Sequence, residues 1–346
     1  MLTTRSVPSR IALIVVATAA ALGTPALAGS PTRAPRKMGT TFSHVELRNR
    51  GIDPIAAFEA MGELGLRVIR LGAYWTEIEP KEGTFDFRAL DDLLARAHAR
   101  RQEVLLTVGM KAPRWPEFWI PAWARPTGEH AKKNAEVSRD ATLRRRALKF
   151  ITTVVRHCER APAITAWQVE NEPMDRSGPD RWFLGADYVQ AVARAIRAND
   201  RAHRPLVVNL WCDDQVYGSW PWTDSTYAER NALETGDVVG LDVYPRVGKE
   251  QLFYARRTIG LPTRYRAAAL RDGKDAWIVE SQAEPWAPSN VDAAAMRWLV
   301  DRHDEQGYRV VFLWGFEHWY ELRTKKRDPG FWNAVKDVVS KWQAKA

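Results

Sequence analysis

Eight short apolar runs, each followed by a longer amphipathic stretch, constrain this chain more than any other feature. The runs are Thr40–Ser43, Arg67–Gly72, Glu103–Val108, Ile164–Glu170, Pro205–Leu210, Val238–Val243, Ala276–Val279 and Arg309–Leu313. Helical patterns lie between them. Pro54–Gly65 places Ile55, Phe58, Met61 and Leu64 on one stripe, and Arg88–Arg100 does the same with Leu90, Leu93, Leu94 and Ala97. Ala141–Glu159, Asp187–Ala198, Val291–His303 and Trp332–Trp342 continue the rhythm. Strand–helix alternation without consecutive hairpins predicts a parallel sheet. Eight such units in about 300 residues predict an α/β protein, a single-domain (β/α)8 TIM barrel. The alternative is an open doubly wound sheet. That fold usually carries a glycine-rich phosphate turn after its first strand, and neither G-x-G-x-x-G nor a Walker A pattern is present.

The segment ahead of this rhythm reads differently. Arg5 and Arg10 form a basic region, Ile11 to Gly23 is apolar, and Ala26-Leu27-Ala28 fits a small-x-small cleavage site. Residues 1–28 therefore read as a secretory signal peptide, which predicts a secreted or periplasmic protein with no membrane attachment after cleavage. An uncleaved anchor helix is the alternative, though the apolar run is short for a span. Residues 29–37 (GSPTRAPRK) read as a linker, and 38–346 as the folded domain. The chain carries 51 Lys and Arg against 42 Asp and Glu, a formal charge of +9, which loss of Arg5 and Arg10 would lower to +7. A basic chain suggests nucleic acid as a partner; the export signal argues for no nucleic acid. The sequence leaves the oligomeric state open. Cys158 and Cys212 are either a disulfide or two buried thiols. There is no paired Cys/His spacing and the seven histidines are scattered, so no metal and no cofactor is expected.

In a barrel, chemistry sits at the C-terminal ends of the strands and in the loops that follow. The fourth run ends in Trp167-Gln168-Val169-Glu170-Asn171-Glu172-Pro173, and the seventh in Trp277-Ile278-Val279-Glu280-Ser281-Gln282. Strands four and seven lie nearly opposite in an eight-stranded ring, so each delivers a glutamate across the barrel mouth. Two facing carboxyls are what cleavage of a glycosidic bond requires: one protonates the departing oxygen, the other attacks or stabilises the cationic sugar. About 5–5.5 Å separates them in retaining enzymes. Repulsion then raises one pKa and keeps that group an acid.

These segments resemble the large clan of retaining glycoside hydrolases with (β/α)8 barrels, which includes cellulases, mannanases and β-galactosidases. The resemblance rests on Arg70 in Val68-Ile69-Arg70, Asn171-Glu172-Pro173, Tyr244 in Asp242-Val243-Tyr244-Pro245, Glu280, and Trp314, in that order along the chain, at strands two, four, six, seven and eight. The segment Trp75 to Phe87 (WTEIEPKEGTFDF) is similar to β-galactosidase-like members. The resemblance implies Glu172 as general acid/base, Glu280 as nucleophile, and Asn171 as donor to the sugar 2-hydroxyl. Arg70 and Tyr244 would support Glu280 by charge pairing and hydrogen bonding, and Trp314 would floor the sugar subsite. Other roles stay open. Glu284 competes with Glu280 as nucleophile. Glu170 competes with Glu172, or is a buried partner of Arg70 or of a histidine. Arg70 is alternatively structural, and Asn171 a turn residue.

The loop Lys111 to Trp123 (KAPRWPEFWIPAW) is rich in tryptophan and proline. It suits stacking on pyranose faces, or a small core that orders the loop. Of the 16 tryptophans, Trp75, Trp115, Trp119, Trp123, Trp211, Trp220, Trp222, Trp286, Trp314 and Trp319 fall at or after strand ends, where sugar would lie. His44 and His318 are candidate sugar-hydroxyl binders or structural residues, and Asp213-Asp214 suits a surface turn. Lys111, Arg114, Arg125, Lys132 and Lys133, with Arg323, Lys325, Lys326 and Arg327, favour an acidic glycan or reflect general arginine richness. Arg144-Arg145-Arg146 reads as a solvated helix face. The expectation is a secreted, metal-free β-glycoside hydrolase acting on a carbohydrate, endo-acting because the stacking residues spread over several loops. Alternatives are an exo-acting β-galactosidase-like enzyme and a catalytically silent barrel that binds glycan.

Overall fold

The computed structural model describes residues 35–212, 225–244, 260–284 and 291–345. Eight parallel strands close into one barrel in chain order. They are β1 (Lys37–Phe42), β2 (Val68–Ala73), β3 (Glu103–Val108), β4 (Ile164–Val169), β5 (Leu206–Trp211), β6 (Val238–Val243), β7 (Asp275–Gln282) and β8 (Val310–Trp314). The expected (β/α)8 barrel is the architecture found, with every expected apolar run in a strand. β1 starts earlier than its run. Arg36 pairs with Asp304 and lies 4.8 Å over the Trp342 ring, and Lys37 Nζ reaches Glu103 at 2.6 Å. The expected linker to residue 37 is therefore too long, because its last two residues are already anchored. The expected leader, the rest of that linker, and Asp213, Asp214, Trp220, Trp222 and Trp286 lie outside the described residues.

Helices wrap the ring: α1 (His44–Asn49), α2 (Pro54–Met61), α3 (Trp75–Ile78), α4 (Arg88–Ala99), α5 (Ala141–Cys158) and α6 (Ala186–Asn199). They continue with α7 (Ser225–Thr235), α8 (Gly260–Arg271), α9 (Ala293–Glu305), α10 (Phe316–Lys325) and α11 (Gly330–Ala344). Local chemistry sets their starts. Asp53 accepts from the Ile55 N–H with Pro54 in the first turn of α2, and Asp140 accepts from Thr142 and Leu143 N–H at α5. The α4 stripe of Leu90, Leu93, Leu94 and Ala97 is buried as its spacing predicts. Cys158 and Cys212 are both buried and are not joined to each other.

The bore is layered by the two-residue period of the strands. Val68, Leu105, Ala166, Val207, Val238, Val279, Val310 and Phe312 form an apolar plug. Two residues further along β2 to β5 stand Arg70, Thr107, Gln168 and Asn209, all buried. They satisfy one another: Arg70 Nε and Thr107 Oγ1 donate to Gln168 Oε1 at 2.7 and 3.1 Å, and Gln168 Nε2 donates to Asn209 Oδ1 at 2.9 Å. β7 breaks the period. Its register with β6 passes from Leu241↔Ile278 to Asp242↔Glu280, and with β8 from Ile278↔Val311 to Ser281↔Leu313. β7 thus holds one residue more than either neighbour, a bulge that lets Val279 join the plug while the adjacent Glu280 still reaches Arg70.

Candidate active site

After β4 the chain turns sharply upward through Glu170, Asn171 and Glu172. Glu170 (φ 60°) and Glu172 (φ 39°) both sit in the left-handed region, which non-glycine residues enter only when the surroundings hold them there. The holding contacts are specific. Asn171 N–H donates to the Lys111 carbonyl at 3.0 Å, and Glu172 N–H to Asn209 Oδ1 at 2.8 Å. The Lys111 ammonium donates to the carbonyls of Glu172 and Asp175 at 2.6 and 3.1 Å. Lys111 is fully buried, so it is an internal clamp and not the mouth cation its position suggested. Glu170 partners neither Arg70 nor a histidine, as had been one expectation. It accepts from Lys111 N–H at 2.7 Å and Tyr188 hydroxyl at 3.0 Å, and burial pushes its carboxyl up to about 7. Gly109 (φ 153°) makes room for it, since a Cβ there would fall 2.1 Å from the Glu170 carboxyl carbon.

Glu280, buried in the bore, pairs with the Arg70 guanidinium through one oxygen and accepts from the Tyr244 hydroxyl through the other. Arg70 also donates to Asn171 Oδ1, which accepts from Asn209 Nδ2 at 3.0 Å as well. That leaves the Asn171 Nδ2 group as a donor toward the mouth. Oxygens of Glu172, Glu280 and Asp242 all lie within 4.8 Å of one another. Burial raises the Glu172 pKa well above the usual range, and Asp242, Asp175 and Glu280 reinforce the shift. The expected pair of facing carboxyls is thus assembled, with Arg70, Asn171 and Tyr244 around it. Among the described residues these three carboxylates are the grouping close enough to suggest a cation. A hard cation takes six or more oxygens; here Arg70 and Tyr244 engage Glu280, and Asn209 donates to Asp242 at 2.5 Å. The donor set does not fit a bound metal.

The aromatic residues divide. Trp211, ending β5, stacks on Tyr244 with centroids 4.7 Å apart and planes at 4°. Trp314, ending β8, meets Tyr244 edge-on at 6.4 Å, and Arg114 lies over its ring at 4.0 Å. These form one wall beside Glu280. Trp115 is 64% exposed on the loop after β3. The other aromatic expectations change. Trp75 is buried, stacked on Phe150; Trp119 packs on Tyr74; Trp319 is buried and donates to the Ala283 carbonyl; half-buried Trp123 donates to the Glu79 carbonyl. The main core therefore claims Trp75 and Trp319 with Trp123 packed against it, and a small cluster of Val45, Tyr74 and Ala112 claims Trp119. His44 opens α1 as a buried residue against Tyr74, and burial pulls its pKa down to about 4. Glu284 is engaged by Arg114 at 2.7 Å and Arg50 at 3.0 Å, and Arg114 also pairs with buried Glu317. Arg114, like Lys111, is consumed internally.

Three acids of the site escaped the sequence-based expectation. Asp242 shares the inward face of β6 with Val238 and Gly240, so a period-two count along that strand points it into the bore. Asp175 accepts from Trp211 N–H at 3.2 Å, and burial lifts it to about 6. Glu117 accepts from Asn171 Nδ2 at 3.2 Å, and burial lifts it to about 7.

Comparison with known proteins agrees with the resemblance read from the sequence. A β-galactosidase family matches residues 55–182. Over 121 residues, a third of this chain, the β-galactosidase Bga of Halorubrum lacusprofundi is 29% identical, and one from an Arthrobacter species is 29% identical over 123. The matched stretch spans 17% of each of those relatives. Among solved structures, a GH5_18 protein of Streptomyces cattleya in complex with GlcNAc superposes with a TM-score of 0.67 at 17% identity, covering 91% of this chain and 82% of that one. A β-galactosidase from a Rahnella species superposes at 0.68 and 14% identity, over 91% of this chain and 57% of that one.

Proposed function

We propose that this chain is a retaining β-glycoside hydrolase, with Glu172 as its acid/base and Glu280 as its nucleophile. The observation that carries the reading is a raised, buried Glu172 carboxyl with an oxygen within 4.8 Å of Glu280 at the C-terminal rim of a (β/α)8 barrel. Glu280 attacks the anomeric carbon while Glu172 gives its proton to the departing glycosidic oxygen. A glycosyl ester on Glu280 results. Glu172, now a carboxylate, takes a proton from water; the hydroxide oxygen adds to the anomeric carbon and Glu280 leaves as the carboxylate. Arg70 and Tyr244 position Glu280 for attack. Asn171 Nδ2 meets the sugar 2-hydroxyl, and the wall of Trp211, Tyr244 and Trp314 offers ring faces to the pyranose.

The substrate is a β-linked oligosaccharide or polysaccharide, cleaved internally, by an enzyme exported through residues 1–28. Support for the sugar class comes from the β-galactosidase relatives and the GlcNAc-bound neighbour. The exposed Trp115 beyond the central wall supports contact with a longer glycan. A panel of aryl-glycosides and neutral and acidic polysaccharides tests the reading. Glu172→Ala is expected to lose about 10²–10⁴-fold on substrates with poor leaving groups. Glu280→Ala should abolish turnover, and proton NMR should show a product that keeps the β-anomeric configuration. Wild-type rates in both variants would overturn the assignment. Release of single terminal sugars only would make the enzyme exo-acting.

A further inference from the structure

Asp242 has no part in the double displacement described above, yet it is fully buried beside the two catalytic carboxyls. Its Oδ2 accepts from Asn209 Nδ2, while its Oδ1 is buried with no donor. Glu172 Oε1 is buried and donorless in the same way. A carboxylate oxygen of each side chain lies within 4.8 Å of one from the other. Two neighbouring carboxyls that each bury an acceptor without a donor are satisfied by one proton held in common. The surrounding charges do not supply an alternative. Arg70 in the bore is committed to Glu280, Gln168 and Asn171. Lys111 spends its ammonium on the carbonyls of Glu172 and Asp175. The remaining titratable neighbours, Glu280, Asp175 and Tyr244, are an acceptor pair and a hydroxyl already donated to Glu280.

We propose that Asp242 is a positioning residue which shares one proton with Glu172 in the free enzyme and so keeps Glu172 a proton donor. This rests on the reading of Glu172 as the acid/base. When the glycosidic bond breaks, the shared proton moves to the leaving oxygen, and both carboxyls are left anionic beside a substrate carrying developing positive charge. When water attacks, its proton returns to the Glu172–Asp242 pair, which restores the starting count.

The test is Asp242→Asn in the full chain. An amide cannot repel Glu172 and donates to it, so the Glu172 anion becomes easier to form. The alkaline limb of kcat/KM on an alkyl glycoside should move down by about one pH unit or more. With a 2,4-dinitrophenyl glycoside, whose leaving group departs without a proton, the limb should stay in place. An unmoved alkaline limb on the alkyl glycoside overturns the proposal. A second measurement needs no turnover. Carboxyl-13C NMR of glutamate-labelled wild type, with Glu172 assigned by its absence in Glu172→Gln, should show Glu172 titrating above the ordinary range and lower in Asp242→Asn. Equal titration in both proteins overturns the shared proton even if every glycoside is cleaved. A shifted titration in a protein that cleaves no glycoside would uphold the pair while ending the hydrolase reading.

Discussion

Asn171 turns one end of its amide inward and is left with the other. Its oxygen is claimed by Arg70 and Asn209, so its amide nitrogen faces Glu117. Glu117 therefore puts an acceptor beside the donor that, in the proposed function, meets the sugar 2-hydroxyl. Above about pH 7, where the carboxyl is ionised, replacing it with glutamine exchanges a charged acceptor for a neutral one. Glu117→Gln should raise KM about tenfold with little change in kcat; steady-state kinetics with an unchanged KM would reject this role. The residue was visible in the sequence but not its place. Glu117 is aimed by a tight excursion of the chain between Lys111 and Phe118, with positive φ at Arg114 and at Glu117 itself. Such a backbone leaves no periodic trace. Glu172 and Glu280 were legible for the opposite reason: each stands at or just past an apolar run that marks a strand.

At the scale of elements, the segment after β4 owes its shape to a charge borrowed from the β3 loop. Lys111→Met would strip the donor from two buried carbonyls, at a cost of about 2 kcal/mol. It would also remove a positive charge from beside Glu172, moving the alkaline limb of activity upward, opposite in sign to the change expected for Asp242→Asn. Denaturant unfolding and pH–rate profiles of the two variants separate these effects. A Lys111→Met protein of wild-type stability would show that the clamp is dispensable. Strand cores were legible as apolar runs, but β7 extends to Gln282 through polar residues that no hydropathy pattern joins to it. The helices α1 and α3, of six and four residues, are too short for a 3.6-residue period to show. α10 hides because its inner face carries buried Glu317, a residue that sequence patterning assigns to the surface.

For the whole molecule, the buried acids bear on the pH at which the barrel holds together. The folded state keeps Glu170 and Glu117 protonated up to about 7 and Asp175 up to about 6, whereas the unfolded chain releases those protons near 4.5 and 3.8. Between these values the native state binds more protons, so this contribution to stability is full in acid and is lost as pH rises toward 7. His303 and His44, pulled down to about 3 and 4 by burial, act the other way, costing stability as pH falls below 6.5. Glu170→Gln isolates one side of the balance. Its melting temperature should fall less steeply than that of wild type between pH 4.5 and 7, and parallel curves would refute the assignment. The net positive charge is now distributed differently from its first appearance. Lys111 and Arg114 are spent inside, while Arg125, Lys132 and Lys133 remain exposed.

The extra residue in β7 gives that strand two reading frames. Below it, odd-numbered Trp277 and Val279 face the plug; above it, Glu280 faces the bore while Ser281 turns outward to His303 on α9, 3.1 Å away. Read without the shift, the same letters would send the carboxylate into the helical layer and the serine into the site. Packing is written in one frame and chemistry in the next, so residues of the plug can be exchanged for volume without re-aiming Glu280.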